Sequence, residues 1–348
     1  MNTFTFNDVL INPNYSEVKS RKEVDLTSDF GLFKLSLPIF SANMKTITGP
    51  NMANVMNTHG GMGILHRFNT DEEAVSDYIK AISQKSPDFS GVISTPQNVN
   101  VGVSIGVQDY DKKRFVDLYT NGARVFCIDV AHGHHILVKN MIKWINDWFK
   151  TNKDITIIAG NIATSEAIYD LADWGADIGK VGIGPGSACQ TRKNTGVGVP
   201  QLFALQNCYE EIKRQGLKIK LIADGGIKCV GDIAKALKYA DGVMLGSFIS
   251  GTTECNGDVF KNAQGQYYKV YMGSASGQNK IINGQESDFI EGTTSEIPFR
   301  GKVKYILKEI REGLQSAFSY VGAKNLHEYK NKCQFIRISH SSQEESKI

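Results

Sequence analysis

The stretch ITIIAGNIATSEAIYDLADWGADIGKVGIG, residues 155–184, reads as one strand–helix–strand unit. ITIIAGNIA (155–163) is an unbroken apolar run, as suits a parallel strand buried on both faces. TSEAIYDLADWGA (164–176) has helical spacing, opens on a Thr/Ser cap and closes on a glycine. IGKVGIG (178–184) is the next apolar run. Two parallel strands need such a crossover helix between them.

The unit recurs along the chain. Further apolar runs lie at LPIFSANM (37–44), GGMGILH (60–66), VNVGVSIG (99–106), VFCIDVAH (125–132), LIADGGI (221–227) and GVMLGSF (242–248). Amphipathic stretches stand between them at DEEAVSDYIKAIS (71–83), DKKRFVDLYTNGA (111–123), HILVKNMIKWINDWFK (135–150) and CVGDIAKALKYA (229–240). About eight alternations predict an α/β fold, a single (β/α)8 TIM barrel over residues 1–338, where a doubly wound sheet would use fewer units. Residues 252–300 break the repeat. They are expected to form a long insertion after strand eight, an active-site flap around the strand-like YYKVYMG. The polar tail 339–348, SHSSQEESKI, is expected to be disordered.

Composition narrows the function. The 348 residues are 41% hydrophobic and 22% charged, ordinary for a chain that buries a large core. Lys and Arg number 39 against 36 Asp and Glu, so there is no global basic field for nucleic acid. No apolar stretch of ~20 residues suggests a membrane span, and MNTFTFNDVL lacks the layout of a signal peptide. A cytoplasmic protein with reduced thiols is the expectation. The six cysteines form no C-x-x-C pair, which argues against zinc and thioredoxin-like chemistry.

In a barrel of this kind the chemistry sits at the C-terminal ends of the strands. Asn43, His66, Asp129, His132, Asn161, Asp224 and Ser247 all fall there. So does GIGPGSACQTR (182–192), a loop whose glycines Gly182, Gly184 and Gly186, with Ser187, could cradle an ion through bare backbone. The DGG of 224–226 and LGS of 245–247 end the last two strands, where barrels often hold phosphate. Cys189 adds nothing to such a cradle. Its placement suits a nucleophile, whereas Cys127, inside a strand, suits packing. Thr191 could relay a proton if a base stood beside it, and Glu291 is the most plausible remote carboxylate. Asp224 could cap a turn or accept from a ribose diol. The histidines of AHGHH (131–135) match no strong metal-binding template. The residues alone thus point to a barrel with a cysteine nucleophile and a phosphorylated substrate.

KVGIGPGSACQT (180–191) resembles the signature of the IMP dehydrogenase/GMP reductase family. The likeness extends through FNDVLINP (6–13), SRKEVDL (20–26), SANM (41–44), GGMGILHR (60–67), CIDVAHG (127–133), AGNIAT (159–164), TGVGVPQL (195–202), ADGGI (223–227) and SYVGA (319–323). It implies the barrel fold and a covalent strategy in which the cysteine attacks C2 of a purine nucleotide. The reductase branch is favoured over a dehydrogenase lacking its regulatory module. Too few residues join strands two and three for an inserted domain. Residues 274–296 contain neither Arg nor Tyr, the pair with which dehydrogenases activate water. A silent nucleotide-binding protein would not need Cys189, Thr191 and Glu291 together.

By the same resemblance, GMP and IMP are the substrate pair, NADPH is the cofactor, and K+ is a bound cation. Ser187, Gly226, Gly246 and Ser247 would hold the phosphate and Asp224 the ribose, with Gly225 also in contact with the substrate. Gly273, Ser274, Ala275 and Gly292 would lie at the base. Arg67, Asp129, Val130 and Ala131 would lie on the cofactor side. Ser20, Arg21, Ser316, Ala317, Phe318 and Ser319 would reach a cofactor across a homotetramer. Carbonyls of Gly184, Gly186 and Cys189 would face K+. Departures from the family pattern are Arg67 for the usual Lys, GSAS (273–276) for Gly-Met-Ser-Ser, Ser247 for a frequent glycine, and Asp288 for an Arg expected at the base.

Overall fold

The computed structural model describes residues 3–83, 100–150, 153–282 and 290–345. Eight parallel strands close into a barrel: β1 (Ile39–Ser41), β2 (Met62–Leu65), β3 (Val101–Ile105), β4 (Val125–Asp129), β5 (Thr156–Ile162), β6 (Ile178–Val181), β7 (Lys220–Asp224) and β8 (Gly242–Leu245). Each pairs with its neighbour in sequence, and β8 pairs with β1 to close the ring. All eight apolar runs become strands because each is buried on both faces. Every residue of β1, β2, β3, β6 and β8 is buried.

Helices α1 (Pro50–Thr58), α2 (Asp71–Ser83), α3 (Asp109–Thr120), α4 (Ile136–Phe149), α5 (Ser165–Trp174), α6 (Gln201–Gln215), α7 (Val230–Leu237) and α8 (Val303–Val321) follow the strands in turn. Local chemistry sets their ends. Thr164 Oγ1 accepts from the Ala167 N–H at 3.2 Å, and Gly175, at φ +97°, ends α5 in the left-handed region. Helix α3 starts at Asp109, two residues before the apolar period, because the Asp111 carboxylate accepts from the Gln108 and Gly106 N–H groups at 2.9 and 3.0 Å. The sequence reading passed over α1, α6 and α8. Yet α8 buries Val303, Ile306, Leu307, Ile310, Leu314, Phe318 and Val321, a plain helical period.

Two peripheral features differ from expectation. Residues 252–300 contain a three-stranded antiparallel sheet of Phe260–Lys261, Tyr267–Met272 and Thr294–Pro298, so the strand-like stretch expected there gains two strand partners. The tail was expected to be disordered, but His340–Glu344 is a short helix capped by Ser339, whose hydroxyl accepts from Ser342 N–H. It follows Phe335–Arg337, which pairs antiparallel with Val9–Ile11 near the N-terminus and so ties the polar end down.

Close approach of backbones fixes the barrel wall. A Cβ on Gly63 in β2 would lie 2.4 Å from Ala53 Cα and 2.8 Å from its Cβ, so α1 rests directly on the strand. Gly63→Ala is expected to push α1 outward and cost about 1–3 kcal/mol. Denaturant unfolding checks this, and an unchanged midpoint would contradict the packing.

Candidate active site

The loop after β6 carries Cys189 to the rim of a cavity of about 350 Å3 at the C-terminal ends of the strands. This volume lies within the range of small-molecule sites. The Cys189 thiol donates to Thr191 Oγ1 at 3.2 Å, and the Thr191 hydroxyl donates to Glu291 Oε2 at 2.5 Å. Thiol, hydroxyl and carboxylate thus form one hydrogen-bonded chain. Cys189 is partly exposed, whereas Cys127 and Cys208 are enclosed, and burial pushes both of their thiols up to about 12. Those two stay neutral packing groups.

Glu291 arrives by backbone pairing. The Gln190 N–H donates to Glu291 O at 2.7 Å, the Thr293 N–H to Ala188 O at 2.9 Å, and the Glu291 N–H to Ala275 O at 3.1 Å. The Asn194 side-chain amide adds a bond to Ile290 O at 2.8 Å. Residues 291–293 are therefore laid between the cysteine loop and residues 273–276. Only glycine permits this: a Cβ on Gly292 would meet Ser276 N at 2.8 Å. One on Gly273 would crowd Ala188 O at 3.1 Å and Gly292 Cα at 3.2 Å.

A second glycine contact brings β7 to the same loop. Gly225 and Gly226 have φ of +90° and +81°. A Cβ on either would press on Pro185, at 3.0 and 3.3 Å. Next to them the Asp224 carboxylate lines the cavity floor. Its Oδ2 accepts from Lys180 Nζ at 2.7 Å and from the Asn161 amide at 2.8 Å. Lys180 is 2% exposed and also donates to Asn161 Oδ1. Burial opposes its charge, but Asp224 above all, with Asp129 farther off, outweighs this and holds the ammonium above its ordinary range. Asp129 Oδ1 lies 4.0 Å from Lys180 Nζ, and its Oδ2 lies 3.5 Å from Arg67 Nε.

Of the residues singled out from sequence, Cys189, Thr191, Glu291, Asp224, Gly225, Gly273, Ser274, Ala275 and Gly292 share the cavity wall, with Arg67, Asp129, Val130, Ala131, Gly184 and Gly186. Ser187 and Gly246 sit beside Tyr271, which also lines the wall. Gly226, Ser247, Ser20, Arg21 and residues 316–319 do not line it. Phe318 must be removed from the cofactor contacts: it is fully buried and stacked on Tyr329 at 3.9 Å between ring centres. Asp288 lies outside the described residues. His134 pairs with Asp170 at 2.7 Å, and His135 caps α4. Among the described residues no three His, Cys, Asp or Glu groups converge as for a metal.

Sequence reasoning missed Lys180, Tyr271 and Met44. Lys180 had a signal, a lone charge inside an apolar strand. Tyr271 had a weaker one, since strand alternation puts it on the same buried face as Lys269. Met44, beside Gly246, had none.

Backbone carbonyl oxygens are the donor class that suits K+. At this loop the Gly186 carbonyl also accepts from the Cys189 N–H at 3.1 Å, and the Arg192 side chain lies where a Cβ on Gly184 would fall. For a nicotinamide cofactor, Arg67, Phe68 and Asp129 to Ala131 line the same cavity that Cys189 reaches.

Comparison with known proteins bears on the family and the fold. Residues 3–348 match the model of the IMP dehydrogenase / GMP reductase domain. The chain is 38% identical to GMP reductase 1 of Homo sapiens over 96% of its length and 94% of the relative's. It is 37% identical to GMP reductase of Lactobacillus delbrueckii over 95% and 93%. The crystal structure of a cysteine-to-alanine variant of GMP reductase from Trypanosoma brucei, in complex with guanosine 5'-monophosphate, matches with a TM-score of 0.88 and 28% identity, covering 100% of this chain and 98% of that one. A cysteine on a glycine loop, a threonine–glutamate pair across it and a closed parallel barrel beneath are thus found in a chain that belongs to the IMP dehydrogenase/GMP reductase family.

Proposed function

We propose that this protein is a GMP reductase, converting GMP to IMP and ammonia with NADPH as reductant. The observation that carries this reading is the chain from Cys189 through Thr191 to Glu291. A nucleophile needs a neighbour to take its proton, and a leaving amine needs a donor. Both are met here by one hydroxyl and one carboxylate. The relatives named GMP reductase, one of them with GMP bound, support the substrate.

Cys189 Sγ forms a bond to C2 of guanine. The C2–N bond to the exocyclic amine breaks as Thr191, backed by Glu291, passes a proton to the nitrogen, so ammonia leaves and C2 is held as a thioimidate. NADPH, when bound, supplies the hydride that C2 requires. The C–S bond then breaks, IMP is released, and Cys189 regains a proton by the same Thr191–Glu291 route.

The remaining residues bind and orient. Asp224 accepts from the ribose hydroxyls. Ser187, Gly225, Gly226, Gly246 and Ser247 provide N–H and hydroxyl donors to the phosphate, with Tyr271 beside them. Gly273, Ser274, Ala275 and Gly292 leave room for the flat base. Arg67, Asp129, Val130 and Ala131 form the cofactor side. Carbonyls of Gly184, Gly186 and Cys189 would hold K+, whose role is to keep the cysteine loop in shape. Ser20, Arg21, Ser316, Ala317 and Ser319 are assigned to a neighbour's cofactor in a homotetramer. The domain over residues 1–338, the role of 252–300 as a flap and a cytoplasmic location belong to the same reading. Among the described residues, no helix is long and apolar enough to cross a membrane.

Nicotinamide absorbance decides the direction of the chemistry. Reduced cofactor is expected to disappear with GMP and NADPH, with IMP and ammonia formed. Its appearance with IMP and NAD+ would make the protein a dehydrogenase. Cys189→Ala is expected to lower turnover at least about a thousandfold while GMP still binds; appreciable residual turnover would rule out the covalent step. Glu291→Gln is expected to slow ammonia release by roughly 10²–10⁴ with little change in GMP affinity, and an unaltered single-turnover rate would remove Glu291 from proton transfer.

A further inference from the structure

The proposed chemistry makes no use of the buried Lys180, yet Lys180 is the most enclosed charge at the site, with its side chain 3% exposed. It comes from the middle of β6, and its ammonium projects among three strand ends. Asp224 ends β7, Asn161 lies in β5, and Asp129 ends β4. Isolating a charge from water in this way is costly unless partners surround it. Lys180 meets that need with the Asp224 and Asn161 oxygens, and with Asp129 at 4.0 Å.

The pattern of bonds is uneven. Lys180 and the Asn161 amide both donate to Asp224 Oδ2, at 2.7 and 2.8 Å. Two donors fill that oxygen, and Oδ1 retains its lone pairs for a ligand. Asn161 is held in turn. Its amide also donates to Gly182 O at 2.7 Å, and its Oδ1 accepts from Lys180, so it cannot flip without losing both bonds. A carboxylate fastened through one oxygen by two fixed donors cannot rotate. It presents the other oxygen in one direction.

We infer that Lys180, with Asn161, is a positioning residue that sets ribose recognition by locking Asp224 with Oδ1 as the sole acceptor toward the nucleotide. This deepens the reading of the cavity as a GMP site and rests on it. The consequence is specific. Lys180 acts on the sugar hydroxyls and not on phosphate or base, so its loss changes discrimination between sugars. A merely structural role would weaken all nucleotides alike.

The test is calorimetric titration of the full chain with GMP and with 2′,3′-dideoxy-GMP. The wild-type protein is expected to prefer GMP by at least about tenfold, as hydrogen bonds to a charged acceptor allow. In Lys180→Met this preference is expected to fall about tenfold, with dideoxy-GMP affinity nearly constant. Asn161→Ala, which keeps the buried ion pair, is expected to lower the preference in the same direction by a smaller factor. It carries the test if thermal melting shows Lys180→Met unfolded. An undiminished preference in a folded variant would overturn the inference, as would equal loss of both ligands. Failure of the wild-type protein to bind GMP at all would strike the functional reading itself. A wild-type protein that binds GMP without sugar preference would strike only the role of Asp224 and Lys180.

Discussion

The site depends on three backbone segments packed against one another with almost no side chain between them. Residues 188–190, 273–276 and 291–293 exchange N–H and C=O groups directly. That pairing delivers Glu291 to Thr191 across 100 residues of sequence. The segments can approach this closely because Gly273 and Gly292 carry no Cβ. Gly225 does the same where β7 meets the cysteine loop. The glycines therefore act less as flexible points than as the condition for contact.

Burial then separates the ionisable groups by role. In the core the thiols of Cys127, on β4, and Cys208, on α6, are held neutral, because a thiolate there would be stripped of water. His66, at the end of β2, is pushed down to about 4 by burial, with Lys45 and Arg114 adding to it, and so is neutral near pH 7. Lys180 is equally buried but stays charged because its counter-charges are buried with it. Ion pairs of this kind rarely stabilise a fold over an apolar equivalent; their value is in fixed geometry. Here the fixed object is Asp224, and the chain of charges continues through Asp129 to Arg67, which also lines the cavity.

Much of the architecture was legible because strands buried on both faces leave a strong mark. All eight apolar runs became barrel strands. Helix ends were less so. Asp111 drew the start of α3 two residues ahead of its apolar period through a local hydrogen bond. The polar tail reads as disordered from composition, yet Phe335–Arg337 finds a strand partner at Val9–Ile11, more than three hundred residues away in sequence, and the short helix follows it. Composition reports what a segment can bury alone and is blind to what a distant edge offers it.

What the sequence by itself determined was the barrel, the cysteine loop and the family. These rest on local period and on one long contiguous motif, KVGIGPGSACQT. From residue patterns alone Thr191 and Glu291 were a hydroxyl lacking a base and a carboxylate lacking an address. Their partnership was implied only by resemblance, and the folded chain puts them 2.5 Å apart. The tertiary structure alone decided that Lys180 points into the site, that Tyr271 joins its wall and that Phe318 packs in the core. The physical reason is the same in each case. Which way a side chain faces, and what it meets, is set by backbones that pair across long separations, and no local period records that pairing.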